Sequence, residues 1–290
     1  MSIYAKGFLI TILGVLVISP DTLLIRLIDA DTFTQLFWRG ILSGSAVLLG
    51  YWAFTRQSLL TSLRATGWSG VWITLIFSLG TLCFVYSVTH TLVANTLFIT
   101  STSPVFAALI SLFVLREKIS LRTWLTIAAT LFGIAIIASG SVNGGAGTVS
   151  GDLAALGGAI SLAMTFSIAR ARRVASMVPA TGVAGLLSGM IAIPLAPTLA
   201  VPADDIVWMG LLGLLVVPLG FALLATGPRY LPAPDVSLLL LLEAIIGPLL
   251  VWLVLAEYPG THTLIGGAVV LSAMTISNLI ALRRAASGPA

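Results

Sequence analysis

Charge, cysteine and histidine are the scarce elements of this chain. Only 8% of its 290 residues are charged, against roughly a quarter in soluble domains, while 58% are hydrophobic. A chain so poor in charge cannot cover its own surface with polar groups, so the missing solvent must be lipid. A single cysteine, Cys83, excludes an internal disulfide and any multi-cysteine metal site. The two histidines, His90 and His262, stand far apart in sequence and suggest no metal centre. No glycine-rich loop ending in Lys-Ser/Thr is present, which argues against direct ATP use, and no cofactor is indicated. The net charge of +4 gives no sign of nucleic-acid binding. An enzyme would need a nucleophile and base, or clustered histidines and carboxylates, at one depth, and no such constellation occurs.

What the chain does have is long apolar runs. A bilayer core takes about 20 apolar residues in a helix. That window finds ten spans, at residues 5–25, 33–54, 69–89, 92–114, 122–140, 152–170, 180–199, 206–226, 236–256 and 262–282. The 28 glycines and 13 prolines agree with this reading, since both are commoner in spanning helices than in soluble ones. The first run follows Lys6 as a signal peptide would. It is too long for such a core and lacks a small-residue cleavage site, so it is read as the first membrane helix. Breakers and charges fall in the short connections, among them residues 29–31, 56–64, 116–122 and 170–179, "SVNGGAG", "VPADD", "RYLPAPD" and "EYPGTH".

Lysine and arginine placement sets the expected orientation. With the N-terminus in the cytoplasm, the inner side holds Lys6, Arg56, Arg64, Arg116, Lys118, Arg122, Arg170, Arg172, Arg173, Arg229, Arg283 and Arg284. Only Arg26 and Arg39 remain near the outer face, beside Asp29, Asp31, Asp152, Asp204, Asp205 and Glu257. This is the positive-inside bias. It places both termini in the cytoplasm and the chain in an inner (plasma) membrane.

The second half repeats the first. "NTLFITSTSPVFAALISLFVLREKISLRTWL", from Asn95, aligns with "DVSLLLLLEAIIGPLLVWLVLAEYPGTHTLI", from Asp235, at an offset of 140. Each copy is a span closed by a glutamate, Glu117 or Glu257. Gly40 and Gly44 match Gly185 and Gly189 as small-xxx-small patterns that let helices approach closely. Gly7 and Gly14 match Gly151 and Gly158. Five spans per half is an odd number, so the halves must face opposite ways across the membrane. The expected fold is an all-α integral membrane protein of ten helices in a 5+5 inverted repeat, divided as 1–142 and 143–290. Inverted repeats of this kind are a transporter architecture, with the substrate site between the halves.

The segment "TSPVFAALISLFVLREKISLRTWLTIAATLFGIAI", residues 102–136, resembles the EamA-type ten-helix exporters of the drug/metabolite transporter superfamily. It carries a proline-initiated segment, a glutamate closing span four, and Gly133 in span five. "SPDTLLIRL" followed by "FWRGIL" is also similar to bacterial members. The second copy departs from the pattern, because Ala244 stands where the first has Pro104, and a proline comes only at Pro248. The resemblance implies alternating access, with spans one, three, four, six, eight and nine around a central cavity. It also implies export of amino acids, related metabolites or toxic cations.

Polar residues inside the spans are the site candidates. Pro20 interrupts the helix ladder of span one. Asp21 follows it, roughly 8 Å below the outer edge at the rise of a helix, and Arg39 enters span two at a similar depth. The two either form a static pair that staples the first two helices or line the outer mouth of a cavity. Arg26 reads as an interfacial anchor. Glu243 lies roughly 12 Å deep in "LLLLLEAIIGP" with no other ionisable residue so near the midplane. Such carboxylates serve as proton relays or cation sites, and the alternative is a neutral glutamate bonded to a nearby carbonyl. Tyr86, Ser87 and His90 end span three. Thr96, Thr100 and Ser103, at i, i+4 and i+7, predict one hydroxyl face of span four, for substrate or for helix–helix glue. Asn95 and Asp235 are expected to cap their helices. Trp38, Trp52, Trp68, Trp208 and Trp252 read as interfacial anchors.

The expectation is therefore a secondary exporter that moves a small amphipathic metabolite such as an amino acid. Membrane lipid, a small-molecule substrate and protons are its partners. An uncoupled facilitator or channel is the alternative, as is drug-cation efflux.

Overall fold

Apolar stretches of this length can satisfy their backbone in lipid only as helices or closed barrels, and the chain takes the first course. The computed structural model describes residues 3–114, 120–142, 147–171, 178–226, 230–231 and 233–286, and every regular element among them is helical. Span one is two helices, α1 (Ile3–Ile18) and α2 (Asp21–Leu27). Span two is α3 (Thr32–Thr55) and span three is α4 (Leu59–His90). Span four divides into α5 (Val93–Thr100) and α6 (Ser103–Val114). Spans five, six and seven are α7 (Leu121–Val142), α8 (Val149–Ala171) and α9 (Val178–Ala192). Span eight runs from α10 (Ile206–Gly210) through a widened π turn to α11 (Val217–Thr226). Span nine is α12 (Ala233–Leu240) and α13 (Glu243–Leu255), and span ten is α14 (Thr261–Ala286). Among the described residues eight spans are long and apolar enough to cross a bilayer; α3 and the shorter α9 complete the ten.

Several boundaries differ from the sequence reading. The seventh span stops at Ala192 instead of residue 199, because Pro194 and Pro197 cannot continue the hydrogen-bond ladder. Residues 193–202 then run as turn and irregular chain, where the Thr198 and Leu199 carbonyls accept from Thr34 and from the Trp38 indole. The third span starts ten residues early, at Leu59, and bends at Gly67, whose φ of +54° suits glycine.

Besides the kink at Gly67, four spans are interrupted among the described residues. In span one Pro20 has no N–H to give to the Leu16 carbonyl, and the Ser19 N–H and hydroxyl both donate to the Val15 carbonyl, at 2.9 and 2.7 Å. In span four the Ser101 and Thr102 hydroxyls bond back to Phe98 and Ile99 carbonyls, and Pro104 opens α6. In span eight the π turn precedes Pro218, which has no donor for the Leu214 carbonyl. Span nine breaks at Leu241–Leu242, 140 residues after the Ser101–Thr102 break and so at the repeat-equivalent place.

Helix pairing follows a two-fold exchange of the halves. Span two lies on span seven and span five on span ten; α5 of span four meets α13 of span nine. Span one packs on span eight as span three packs on span six. Glycine makes these approaches possible. A Cβ on Gly40 would sit 2.5 Å from the Gly185 carbonyl oxygen, one on Gly44 2.7 Å from that of Gly182, and one on Gly266 2.6 Å from that of Gly133. Gly7 abuts Tyr230 and Leu231, while its repeat mate Gly151 abuts His90 and Thr91, 140 residues earlier. The two halves are thus inverted copies of one module. Large apolar side chains such as Leu13, Phe132 and Leu253 point outward, as a lipid-facing surface requires.

Candidate functional site

We refer to the end of the bundle opposite the termini as the distal end. It carries the connections between spans one and two, three and four, five and six, seven and eight, and nine and ten.

Asp21 is the first residue of α2, placed there by the break at Pro20. The Arg39 guanidinium, from α3, donates to both its oxygens, Nη2 to Oδ2 at 2.8 Å and Nε to Oδ1 at 3.3 Å. The two side chains are only 5% and 6% exposed. Arg39 also lies over the Phe84 ring at 5.7 Å from its centroid. A planar fork on a carboxylate is the geometry that makes such a pair strong. Beside it the Thr22 hydroxyl is buried with no bonding partner, and Gly247 of α13 lies next to it.

Glu243 is likewise the first residue after a break, opening α13. The helical rise places Asp21 about 8 Å along the chain from Arg26, and Glu243 about 20 Å from Glu257, so the two carboxylates sit at different depths.

The remaining candidates do not join this group. Tyr86 and His90 stack on each other at 3.9 Å near the distal end of α4, where His90 Nδ1 meets the Tyr86 carbonyl and the Thr89 hydroxyl. The predicted hydroxyl face is not one face, because the Ser101–Thr102 break separates Thr96 and Thr100 from Ser103. Thr96 bonds the Ser87 hydroxyl across helices at 2.7 Å, and Thr100 bonds carbonyls of its own helix. That is helix–helix glue in the first case and local satisfaction in the second.

The readings of three single residues are corrected. Asn95 does not cap α5; it stands in the first turn, and its side chain reaches sideways instead. Its Nδ2 donates to Asp152 Oδ1 at 3.0 Å, and its Oδ1 accepts from Thr263 at 2.6 Å. Asp235 likewise lies within the first turn of α12. Arg26 is more than an interfacial anchor: its Nη2 lies 3.1 Å from Glu257 Oε2 and donates to the Thr91 carbonyl at 2.7 Å. Glu257 Oε1 in turn accepts the Val93 N–H at 2.8 Å, which satisfies the first donor of α5. The repeat mate of Glu257, Glu117, lies outside the described residues.

Sequence reasoning also placed Asp152 simply at the outer face. It is buried, accepting from Thr91, Asn95 and Ser141 at 2.7, 3.0 and 2.6 Å, and so ties spans four, five and six together near span ten. The signal available in sequence was a carboxylate in a helix's first turn, which any solvent-facing aspartate gives equally well.

Two clefts stand out. One, of about 570 Å³, is an apolar groove on the outside of α7 and α14. The other, of about 280 Å³, opens at the distal end between α2, α3 and α4 and is lined by Arg26, Asp31, Gln35 and His90 among others. No group of histidine, cysteine, aspartate or glutamate side chains among the described residues is placed to hold a metal ion.

The family described as the EamA-like transporter family matches residues 5–139 and again residues 149–279. A solved crystal structure 18% identical to the chain, described only as that of a protein, superposes with a TM-score of 0.61 over 95% of this chain and 99% of its own. It shares the fold. No curated protein matches the chain.

Proposed function

The chain belongs to the EamA-like transporter family, and from that premise we propose that it exports a small zwitterionic metabolite of the amino-acid class from the cytoplasm. It does so by alternating access between the two repeats. Both termini face the cytoplasm of a cell whose inner membrane holds the protein, as the lysine and arginine asymmetry supports. The observation that carries the reading is the placing of Asp21 and Glu243 as first residues after helix breaks in spans one and nine, with Arg39 in bidentate contact with Asp21. Ionisable groups inside a membrane bundle mark substrate and ion pathways. Arg39 and Asp21 offer opposite charges to the two ends of a zwitterion, and Glu243 is the proton carrier. Tyr86 and His90 line the route at the distal end, and the Thr100 and Ser103 hydroxyls supply weaker contacts.

The test is counterflow of a panel of radiolabelled amino acids in proteoliposomes, with and without a pH gradient. Accumulation driven by the gradient, lost in Glu243→Gln while exchange at equal pH persists, is the expected result. Gradient-independent flux in the unaltered protein would instead make it a facilitator. Failure of every amino acid to exchange would remove the substrate class.

A further inference from the structure

The polar links of α2 divide sharply by direction. Toward α3 they are strong: the buried Asp21–Arg39 pair, and Gln35 of α3 donating through Nε2 to the Ile28 and Ala30 carbonyls at 3.0 and 2.9 Å. Spans one and two are thereby held as one body at this end. Toward spans four and nine, Arg26 alone among the described residues carries the side-chain bonds that leave α2, one to the Thr91 carbonyl and one to Glu257.

The other side of that seam is itself tightly held. Asp152 gathers Thr91, Asn95 and Ser141, and Asn95 gathers Thr263, so the α4–α5 turn, α7, α8 and α14 form a second polar-bonded body. Glu257 is fixed to that body through the Val93 N–H. Two internally bonded bodies therefore meet at the distal end, bridged by the Arg26 side chain and by one hydroxyl contact, Thr32 of α3 to Thr89 of α4 at 2.9 Å.

The bridge is not saturated. Arg26 Nε is buried with no partner, and Gln35 Oε1 is an acceptor without one, although its amide orientation is fixed by the two carbonyls it donates to. Both residues line the distal cleft. The side chains of Arg26 and Glu257 are 24% and 20% exposed, so water reaches the pair when it parts. The breaks at Pro20 and at Leu241–Leu242 give α2 and α13 freedom to swing without unwinding the longer halves of their spans.

We propose that Arg26 is the latch of the distal gate: its contacts with Glu257 and the Thr91 carbonyl close this end of the bundle, and they part when α2 and α3 move away from the block of α5, α8 and α14. The proposal rests on the alternating-access reading but needs neither the amino-acid substrate nor proton coupling. Parting the pair costs helix-end satisfaction at two places together, at Val93 if Glu257 follows Arg26 and at Thr91 in any case.

Hydrogen–deuterium exchange of the full chain in lipid nanodiscs tests this without any substrate. In Arg26→Gln, peptides covering residues 21–30 and 91–98 should exchange about ten-fold faster, while those covering 178–192 and 36–46 stay unchanged. Glu257→Gln, which keeps an acceptor for the Val93 N–H and removes only the charge, should give the same pattern and serves if the arginine variant does not fold. Unchanged exchange in both variants would overturn the latch. A rise spread across α3 and α9 as well would also overturn it, since the pair would then be a staple of the whole fold. A failure of amino-acid counterflow with the localised pattern intact would count against the substrate and not against the latch.

Discussion

At the offset of 144 residues that relates Gly7 and Gly14 to Gly151 and Gly158, Pro20 corresponds to Met164, Asp21 to Thr165 and Arg26 to Arg170. Arg39, at the offset of 145 that relates Gly40 to Gly185, corresponds to Ala184. The two repeats share their scaffold contacts: Gly7 and Gly151 abut equivalent turns, and the glycines of spans two and seven interdigitate. They do not share their chemistry. Span one is broken and carries the carboxylate that Arg39 grips, while α8 runs unbroken and its Thr165 hydroxyl is buried without a partner. Backbone proximity is what a two-fold bundle needs at both places. An ion pair is expensive to bury, and one copy suffices to line a path that crosses the axis once.

The comparison can be broken most forcefully at the ion pair. Arg39→Gln leaves Asp21 buried and unpaired, and should cost about 3–5 kcal/mol, read as lost thermal stability in detergent. Recovery by exchanging the two residues would point to a staple and not a substrate contact. Next comes the glycine seam. Gly40→Ala drives a methyl toward the Gly185 carbonyl and should cost about 1–3 kcal/mol by overpacking. Gly50→Ala, on the same helix with nothing within 4 Å, should instead be neutral or stabilising by up to about 1 kcal/mol. Equal losses from the two alanines would show that helix approach is not what Gly40 serves.

Asp152→Asn probes the distal polar body. Three side chains donate to this carboxylate, so removing its charge should cost about 1–3 kcal/mol. The smallest effect is expected at Thr165→Val, which removes a buried hydroxyl that bonds to nothing. It should change stability by less than about 1 kcal/mol, on the favourable side. A large loss there would mean that the second repeat has polar chemistry of its own at this position, and would erase the asymmetry.

Legibility of these features in sequence follows their range. The break in span one could be read from Pro20, and the Asp21–Arg39 contact from similar depth on consecutive helices, because a short connection fixes which helices are neighbours. The break in span nine could not be read: residues 236–247 contain no proline, and the break falls at the position equivalent by the repeat to Ser101–Thr102. The hydroxyl stripe of span four failed for the same reason, since helical periodicity assumes an unbroken helix. Arg26 and Glu257 lie 231 residues apart, and nothing local couples them.

Composition and hydropathy alone determined that this chain lives in lipid as spanning helices, because so few charges leave no other solvent. The odd number of spans per repeat alone made the halves antiparallel. Which polar groups meet was decided only in the folded bundle. Asp152 finds Asn95, Thr91 and Ser141, and Arg26 finds Glu257, through helices distant in sequence, and a polar side chain in lipid bonds whatever partner the packing brings within reach.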